Sequence, residues 1–192
     1  SEMCIRDRLD DLRTSQLCLW CPLCDYLLQC IPVLLIQPLG ISEFVHNQPI
    51  QYRFVDLVLE VVPTQVTLVP DAHDAITSNA GWDTLANRGF LTEVTARFHE
   101  KGIRVSVFVD PDPAMVAGAK ACGADRVELY TEAYAREYTD DPQRDAAPYL
   151  AAAEEARRQG LGLNAGHDLS LENLRWFAER IPWIDEVSIG HA

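Results

Sequence analysis

Hydrophobic and polar positions fall into two regimes along the chain. From Phe54 onward, short β-branched runs alternate with longer stretches of helical period. Phe54–Val62 (FVDLVLEVV) carries apolar residues at helical spacing and stops before Pro63. Gln65–Pro70 (QVTLVP) reads as a buried strand. Asp83–Lys101 predicts an amphipathic helix with Leu85, Phe90, Val94 and Phe98 inward, closed by Gly102. Ile103–Asp110 is the next strand, and Pro113–Cys122 an Ala-rich helix opened by proline and ended by Gly123. Arg126–Thr131 (RVELYT) is a strand, Ala147–Gln159 a helix ended by Gly160, and Leu161–Ala165 a strand. Leu171–Arg180 is a helix, and Val187–Ile189 a last strand.

Five strands separated by helices imply parallel pairing through right-handed crossovers. Each strand runs into polar or glycine residues: Asp71, Asp110, Thr131, Gly166-His167 and Gly190-His191. In an α/β barrel the chemistry sits at those C-terminal strand ends. No G-x-G-x-x-G follows a strand, which argues against a dinucleotide-binding sheet. A complete barrel has eight strands and about 250 residues. The pattern therefore predicts an incomplete (β/α)8 TIM barrel. Five strands are expected, with the beginning and the end of the barrel missing.

Residues 1–53 have no clean helical or strand period and no turn logic, and they are expected to be a non-native or frame-shifted segment ahead of a partial barrel over residues 54–192. They hold Cys4, Cys18, Cys21, Cys24 and Cys30, leaving Cys122 for the rest. The Cys18-x-x-Cys21-x-x-Cys24 spacing could bring thiolates to one ion, as in a Cys-rich metal-binding module. A ferredoxin run would want its fourth cysteine at position 28, where Leu28 stands, so no metal is expected.

Composition narrows the partners. The 192 residues carry 16 Lys+Arg against 29 Asp+Glu, a net charge of −13, which disfavours nucleic acid and anionic membranes because phosphate backbones reward cations. Small phosphorylated substrates need only a few local donors and remain compatible. The longest apolar stretch, Tyr26–Ile41, is broken by Gln29, Pro32, Gln37 and Pro38, too short to span a bilayer. Acidic Glu2, Asp7, Asp10 and Asp11 precede it where a signal peptide would be basic. The expected location is cytoplasmic.

Three clusters at strand ends could carry chemistry. Asn164-Ala165-Gly166-His167-Asp168 ends a strand in a small-residue turn followed by an imidazole suited to proton transfer near neutrality. Gly190-His191 repeats the theme on the next strand. Glu128 alternates with Val127 and Leu129, which in a barrel places a carboxylate inside, where burial raises its pKa or a cation pairs with it. Plainer roles are open as well: a helix cap for His167, an arginine partner for Glu128 and, for Thr77-Ser78-Asn79 in the polar loop after the first strand, an ordinary capping turn. His73 and His99 read as surface residues.

The runs LVPDAHDAITSNAGWD (Leu68–Asp83), VSVFVD (Val105–Asp110), VELYT (Val127–Thr131), LNAGHDL (Leu163–Leu169) and IGHA (Ile189–Ala192), in that order, resemble the pyridoxine 5′-phosphate synthase family over residues 54–192. The resemblance implies a (β/α)8 barrel that assembles as a homo-octamer. It implies condensation of 1-deoxy-D-xylulose 5-phosphate with 3-amino-2-oxopropyl phosphate to pyridoxine 5′-phosphate, phosphate and water, without metal or organic cofactor. By position, His167 resembles the family's proton donor and Glu128 its transition-state-stabilising carboxylate. Thr77 matches the threonine that contacts the deoxyxylulose phosphate. Asp168, Gly190 and His191 match contacts to the amino-ketone phosphate, with Asp168 standing where many members have glycine. The family's first three strands, N-x-D-H, H-L-R and N-[LI]-E, do not occur in residues 1–53, and its closing helix is absent too. The resemblance therefore implies about five C-terminal βα units and a polypeptide that as written is expected to be inactive or nearly so. Another phosphate-binding barrel enzyme is the alternative. A Schiff-base version fails, since Lys101 and Lys120, the chain's lysines, both fall in helices.

Overall fold

A computed structural model describes residues 50–70, 80–138 and 142–188. Helix α1 (Ile50–Val61) leads into strand β1 (Gln65–Leu68). Then follow α2 (Arg88–Glu100), β2 (Arg104–Val109), α3 (Pro113–Ala121), β3 (Arg126–Tyr130), α4 (Glu132–Glu137), α5 (Pro142–Gln159), β4 (Gly162–Gly166), α6 (Leu174–Arg180) and β5 (Glu186–Ser188). The strands form one sheet in sequence order, and every neighbouring pair is parallel.

The sheet is curled. Four inter-strand spacings separate β1 from β5, about 19 Å in a flat sheet. Yet Gln65 Nε2 on β1 donates to Glu186 Oε2 on β5 at 3.4 Å. Arg104 on β2 also reaches Glu186, at 3.7 Å. Only a sheet bent toward a barrel wall brings these side chains together.

Strand alternation separates two environments. Val66, Leu68, Val105, Val107, Val109, Val127, Leu129, Leu163 and Ala165 point outward and pack on helix residues including Leu91, Val94, Phe98, Val116, Tyr149 and Phe177. Each fully buried Val, Leu or Phe contributes about 1.5–3 kcal/mol, so this layer holds the fold together. The intervening positions face the concave side and are mostly polar: Gln65, Thr67, Ser106, Glu128 and Asn164 are buried there, with Phe108 the apolar member. Arg126 donates to Asn164 Oδ1 at 2.9 Å and pairs with Asp185 at 3.2 Å, while Asn164 donates to Glu186 at 3.2 Å. A parallel sheet covered by helices on both faces is apolar throughout. This one keeps a polar interior instead.

Helix ends follow local chemistry. The Asp112 carboxylate accepts from the Ala114 amide at 2.8 Å, with Pro113 at the first helical position of α3. Gly102, Gly123 and Gly160 close α2, α3 and α5 at φ 72°, 91° and 66°, where a glycine is unstrained.

Several boundaries differ from the sequence reading. Leu85, expected inward, is 58% exposed, because the Asp83 carboxylate takes the Leu85 and Ala86 amides at 3.1 and 2.8 Å and forms a turn ahead of α2. The buried stripe of α2 is Leu91, Val94, Thr95 and Phe98, with Phe90 partly buried beside Trp82. Helix α6 starts at Leu174 rather than Leu171, which is 94% exposed; the Asn173 carboxamide accepts from the Ser170 amide and holds the preceding turn. Helix α5 begins at Pro142, ahead of Ala147, and contains Pro148; α1 begins ahead of Phe54. The short α4 has no counterpart in the sequence reading.

Candidate active site

Glu128 sits mid-strand on β3, with Val127 and Leu129 anchored in the outer core and its own side chain on the concave face, 4% exposed. Thr67 Oγ1 donates to its Oε2 at 3.3 Å, and the Ser188 hydroxyl is a second hydrogen-bond partner. Burial pushes the carboxyl above its ordinary range; the Ser188 and Thr67 hydrogen bonds pull it back in part, and the charge of Glu186 pushes it up further. Gly166 leaves the space this carboxylate occupies. A Cβ there would collide with Glu128 Oε1 and lie 3.0 Å from Ser188 Cβ.

Directly after Gly166 the backbone turns sharply. His167 has φ 92° and Asp168 φ 60°, a left-handed region that residues with a Cβ rarely adopt. Neighbouring elements hold the turn. The Thr131 amide donates to Gly166 O at 3.0 Å, and the Thr131 hydroxyl lies 2.8 Å from Gly166 O and 2.6 Å from His167 O. Asn173 Nδ2 donates to Asp168 O at 3.2 Å, and the Tyr134 hydroxyl donates to Asn173 O at 2.8 Å. Tyr134 is itself buried in a cluster with Tyr138, Tyr149, Trp176 and Phe177, so the turn is tied to the helical layer.

The His167 imidazole, 13% exposed, meets the Tyr130 ring edge-on at 4.8 Å and 88°. Tyr130 in turn packs against Phe108 at 5.3 Å. Burial raises the Tyr130 phenol above its ordinary range, reinforced by Glu132, Asp168 and Asp110 and opposed by Arg136, so it stays neutral. His167 Nδ1 lies 3.0 Å from Asp168 Oδ2.

The structure thus brings two sequence-predicted residues to one strand end: Glu128 beneath Gly166, and His167 immediately beyond it. Asp168 turns its carboxylate to the imidazole. The residue at the N-cap position of α6 is Asn173 rather than His167, and its side chain makes no cap hydrogen bond but accepts from the Ser170 amide and donates to the Asp168 carbonyl. Thr77, Gly190 and His191, like the five N-terminal cysteines, lie outside the described residues. His99 is exposed and bonds Asp125 at 2.8 Å. Among the described residues no group of three or more His, Cys, Asp or Glu is placed to hold a metal ion, and no helix is long and apolar enough to cross a membrane. The sequence reading did not single out Thr67, Ser188, Tyr130 or Asn173. For the strand residues the signal was period-two polarity: Gln65/Thr67, Arg126/Glu128 and Glu186/Ser188 each alternate with apolar neighbours.

A buried carboxylate able to meet a developing positive charge lies inside a curled parallel sheet, and an imidazole able to move a proton stands at the C-terminal edge above it. These features define an α/β protein with a strand-end site, its titratable groups on the concave side. The model of the family described as pyridoxal phosphate biosynthesis protein PdxJ matches residues 38–192, and the chain belongs to that family. The match reaches ahead of Phe54. A pyridoxine 5′-phosphate synthase of Bacteroides thetaiotaomicron is 58% identical over 158 residues, 82% of this chain and 66% of that protein. One from Christiangramia forsetii is 52% identical over the same length and shares. One from Flavobacterium johnsoniae is 57% identical over 142 residues, 74% of this chain and 60% of its own. The chain therefore spans 66% or less of the length of these curated relatives.

Proposed function

We propose that the chain supplies five βα units of a (β/α)8 TIM barrel that makes pyridoxine 5′-phosphate. In this reading the barrel condenses 3-amino-2-oxopropyl phosphate with 1-deoxy-D-xylulose 5-phosphate, releasing phosphate and water, with no metal or organic cofactor. The observation that carries it is the buried Glu128 carboxylate beneath Gly166, with His167 on the next residue of the same strand end.

Each residue has a physical role. Glu128 is held by Thr67 and Ser188 before substrate arrives, so no reorganisation is needed when positive charge develops against it. His167 donates a proton to a leaving oxygen. Thr77 contacts the deoxyxylulose phosphate. Asp168, Gly190 and His191 contact the amino-ketone phosphate, Asp168 through its backbone, because its carboxylate is turned to the imidazole. The working protein is a cytoplasmic homo-octamer. Its barrel domain is taken from residue 54, and residues 1–53 stand apart as a non-native or frame-shifted segment except where the family match extends back to 38.

The test is a chimera in which residues 54–192 replace the matching part of the Bacteroides thetaiotaomicron relative. It is expected to form pyridoxine 5′-phosphate from the two phosphorylated substrates. H167N and E128Q in it are expected to lower kcat by roughly 10²–10³-fold, the range for a lost general acid or charge stabiliser. A folded chimera that makes no product overturns the reading. The 192-residue chain by itself is expected to form little or none, as residues 1–53 carry no H-L-R or N-[LI]-E strand.

A further inference from the structure

The His167–Asp168 pair does more than close a turn. We propose that Asp168 is a positioning residue for His167: its carboxylate holds the imidazole as the Nδ1–H tautomer, leaving Nε2 as the nitrogen that exchanges the proton. The catalytic consequence rests on the reading of His167 as proton donor. The tautomer itself is a property of this chain alone.

Three observations converge. First, Nδ1 and Oδ2 are 3.0 Å apart, and an ionised carboxylate can only accept, so the hydrogen between them belongs to Nδ1. In a neutral imidazole that leaves Nε2 without a proton, and the bond at one nitrogen decides the chemistry at the other. Second, Asp168 keeps a side chain at φ 60° beside His167 at φ 92°, a conformation that costs a non-glycine residue about 1–3 kcal/mol and clusters at functional sites. Glycine would adopt that backbone freely but could not bond the ring. Third, the pair is immobilised on both sides. The His167 carbonyl is bonded by Thr131 and the Asp168 carbonyl by Asn173, and Tyr130 fixes the ring face.

Tyr130, the ring that meets His167 edge-on, is itself in the field of Glu132 and Arg136 on α4, of Asp110 just after β2, and of Asp168. Asp168 is the carboxylate seen bonded to the imidazole. In the proton step the imidazolium gives its Nε2 proton to a substrate oxygen. It is left as neutral imidazole with Nδ1–H still bonded to Asp168. One proton moves, and no other bond in the protein changes.

Nitrogen-15 NMR of the full 192-residue chain reads the tautomer directly from the two-bond couplings of the ring protons, with H167Q assigning the signal among the five histidines. The wild-type chain is expected to show a protonated Nδ1 and an unprotonated Nε2 in the neutral ring. D168G is expected to shift the population severalfold toward Nε2–H. D168N is expected to fall between, since its amide oxygen still accepts a weaker bond. D168G also relieves the strained φ, so it serves if D168N does not fold. A wild-type ring already dominated by Nε2–H, or a pattern unmoved in D168G, overturns the proposal. In the chimera, D168G is expected to reduce kcat about tenfold or more with a smaller change in KM. A chimera without product but with the tautomer shift would sink the synthase reading and leave the positioning role standing. Product formation with no tautomer shift would do the reverse.

Discussion

The hydroxyl of Thr67 on β1 donates to the carboxylate of Glu128 on β3 at 3.3 Å, across 61 residues of chain and over the intervening strand β2. The contact exists because the sheet curls. It holds a charge-bearing group in a place where water would otherwise hold it, and that placement has measurable consequences.

Glu128→Gln is expected to stabilise the chain at neutral pH while abolishing most activity of the chimera. The folded state favours the protonated carboxyl, so its stabilising contribution is complete below the ordinary glutamate value of 4.5 and is lost as pH rises from there through the raised folded value. Glutamine mimics the protonated form at every pH. Thermal melts should show Glu128→Gln above wild type at pH 7.5 by several degrees, on the order of 1–3 kcal/mol, the cost of a poorly compensated buried polar group. The difference should vanish below pH 4.5. A variant equally unstable at both pH values would contradict it.

Gly166→Ala tests the space around that carboxylate. The added methyl meets Glu128 Oε1 and Ser188 Cβ, and overpacking of this kind costs about 1–3 kcal/mol. Glu128→Ala vacates the space, so Gly166→Ala should cost much less in that background. Urea denaturation of the four chains of the cycle gives the coupling directly, and additive effects would show that the two residues do not meet.

Thr131→Val removes the hydroxyl that bonds the carbonyls of the strained turn while keeping the side chain's shape. Leaving that buried bond unmade is expected to cost about 1–2 kcal/mol. Hydrogen exchange should rise at the amides of residues 167–173 and not across β2 and β3. A uniform rise, or none, would mean that the hydroxyl does not secure the turn.

Val62 offers a stabilising change. It sits at φ 52° just before Pro63, and a β-branched residue is strongly disfavoured there. The side chain is 39% exposed, so little packing is lost on replacing it. Val62→Asn, a residue that tolerates this backbone, is expected to raise stability by about 1 kcal/mol in the same denaturation assay. A lower midpoint would show that Val62 packing outweighs its strain.

The legibility of these elements differs for physical reasons. Strands β1 and β2 are visible as β-branched runs, and β3 and β4 as short alternating apolar runs set between glycine and polar breaks, all local signals. Leu85 misled because its spacing fits a helical face, while the competing event, Asp83 capturing two amides, depends on how the chain enters α2. Leu171 misled similarly, since the Ser170–Asn173 turn delays α6. Helix α4 is only six residues long and has too few turns for a period to emerge.

What the sequence by itself determined is the order of strands and helices, the inward register of Glu128 and the position of His167 at a strand end, because side-chain alternation and glycine punctuation are written locally. What only the tertiary structure decided is which residues surround them. Thr67 and Ser188 reach Glu128, and Gln65 reaches Glu186, because the sheet bends and folds distant segments onto one concave face. Asp168 reaches His167 because Thr131, Asn173 and Tyr134 hold two consecutive residues in a backbone region that neither would choose alone. Curvature and strain are properties of the assembled fold, and no window of sequence contains them.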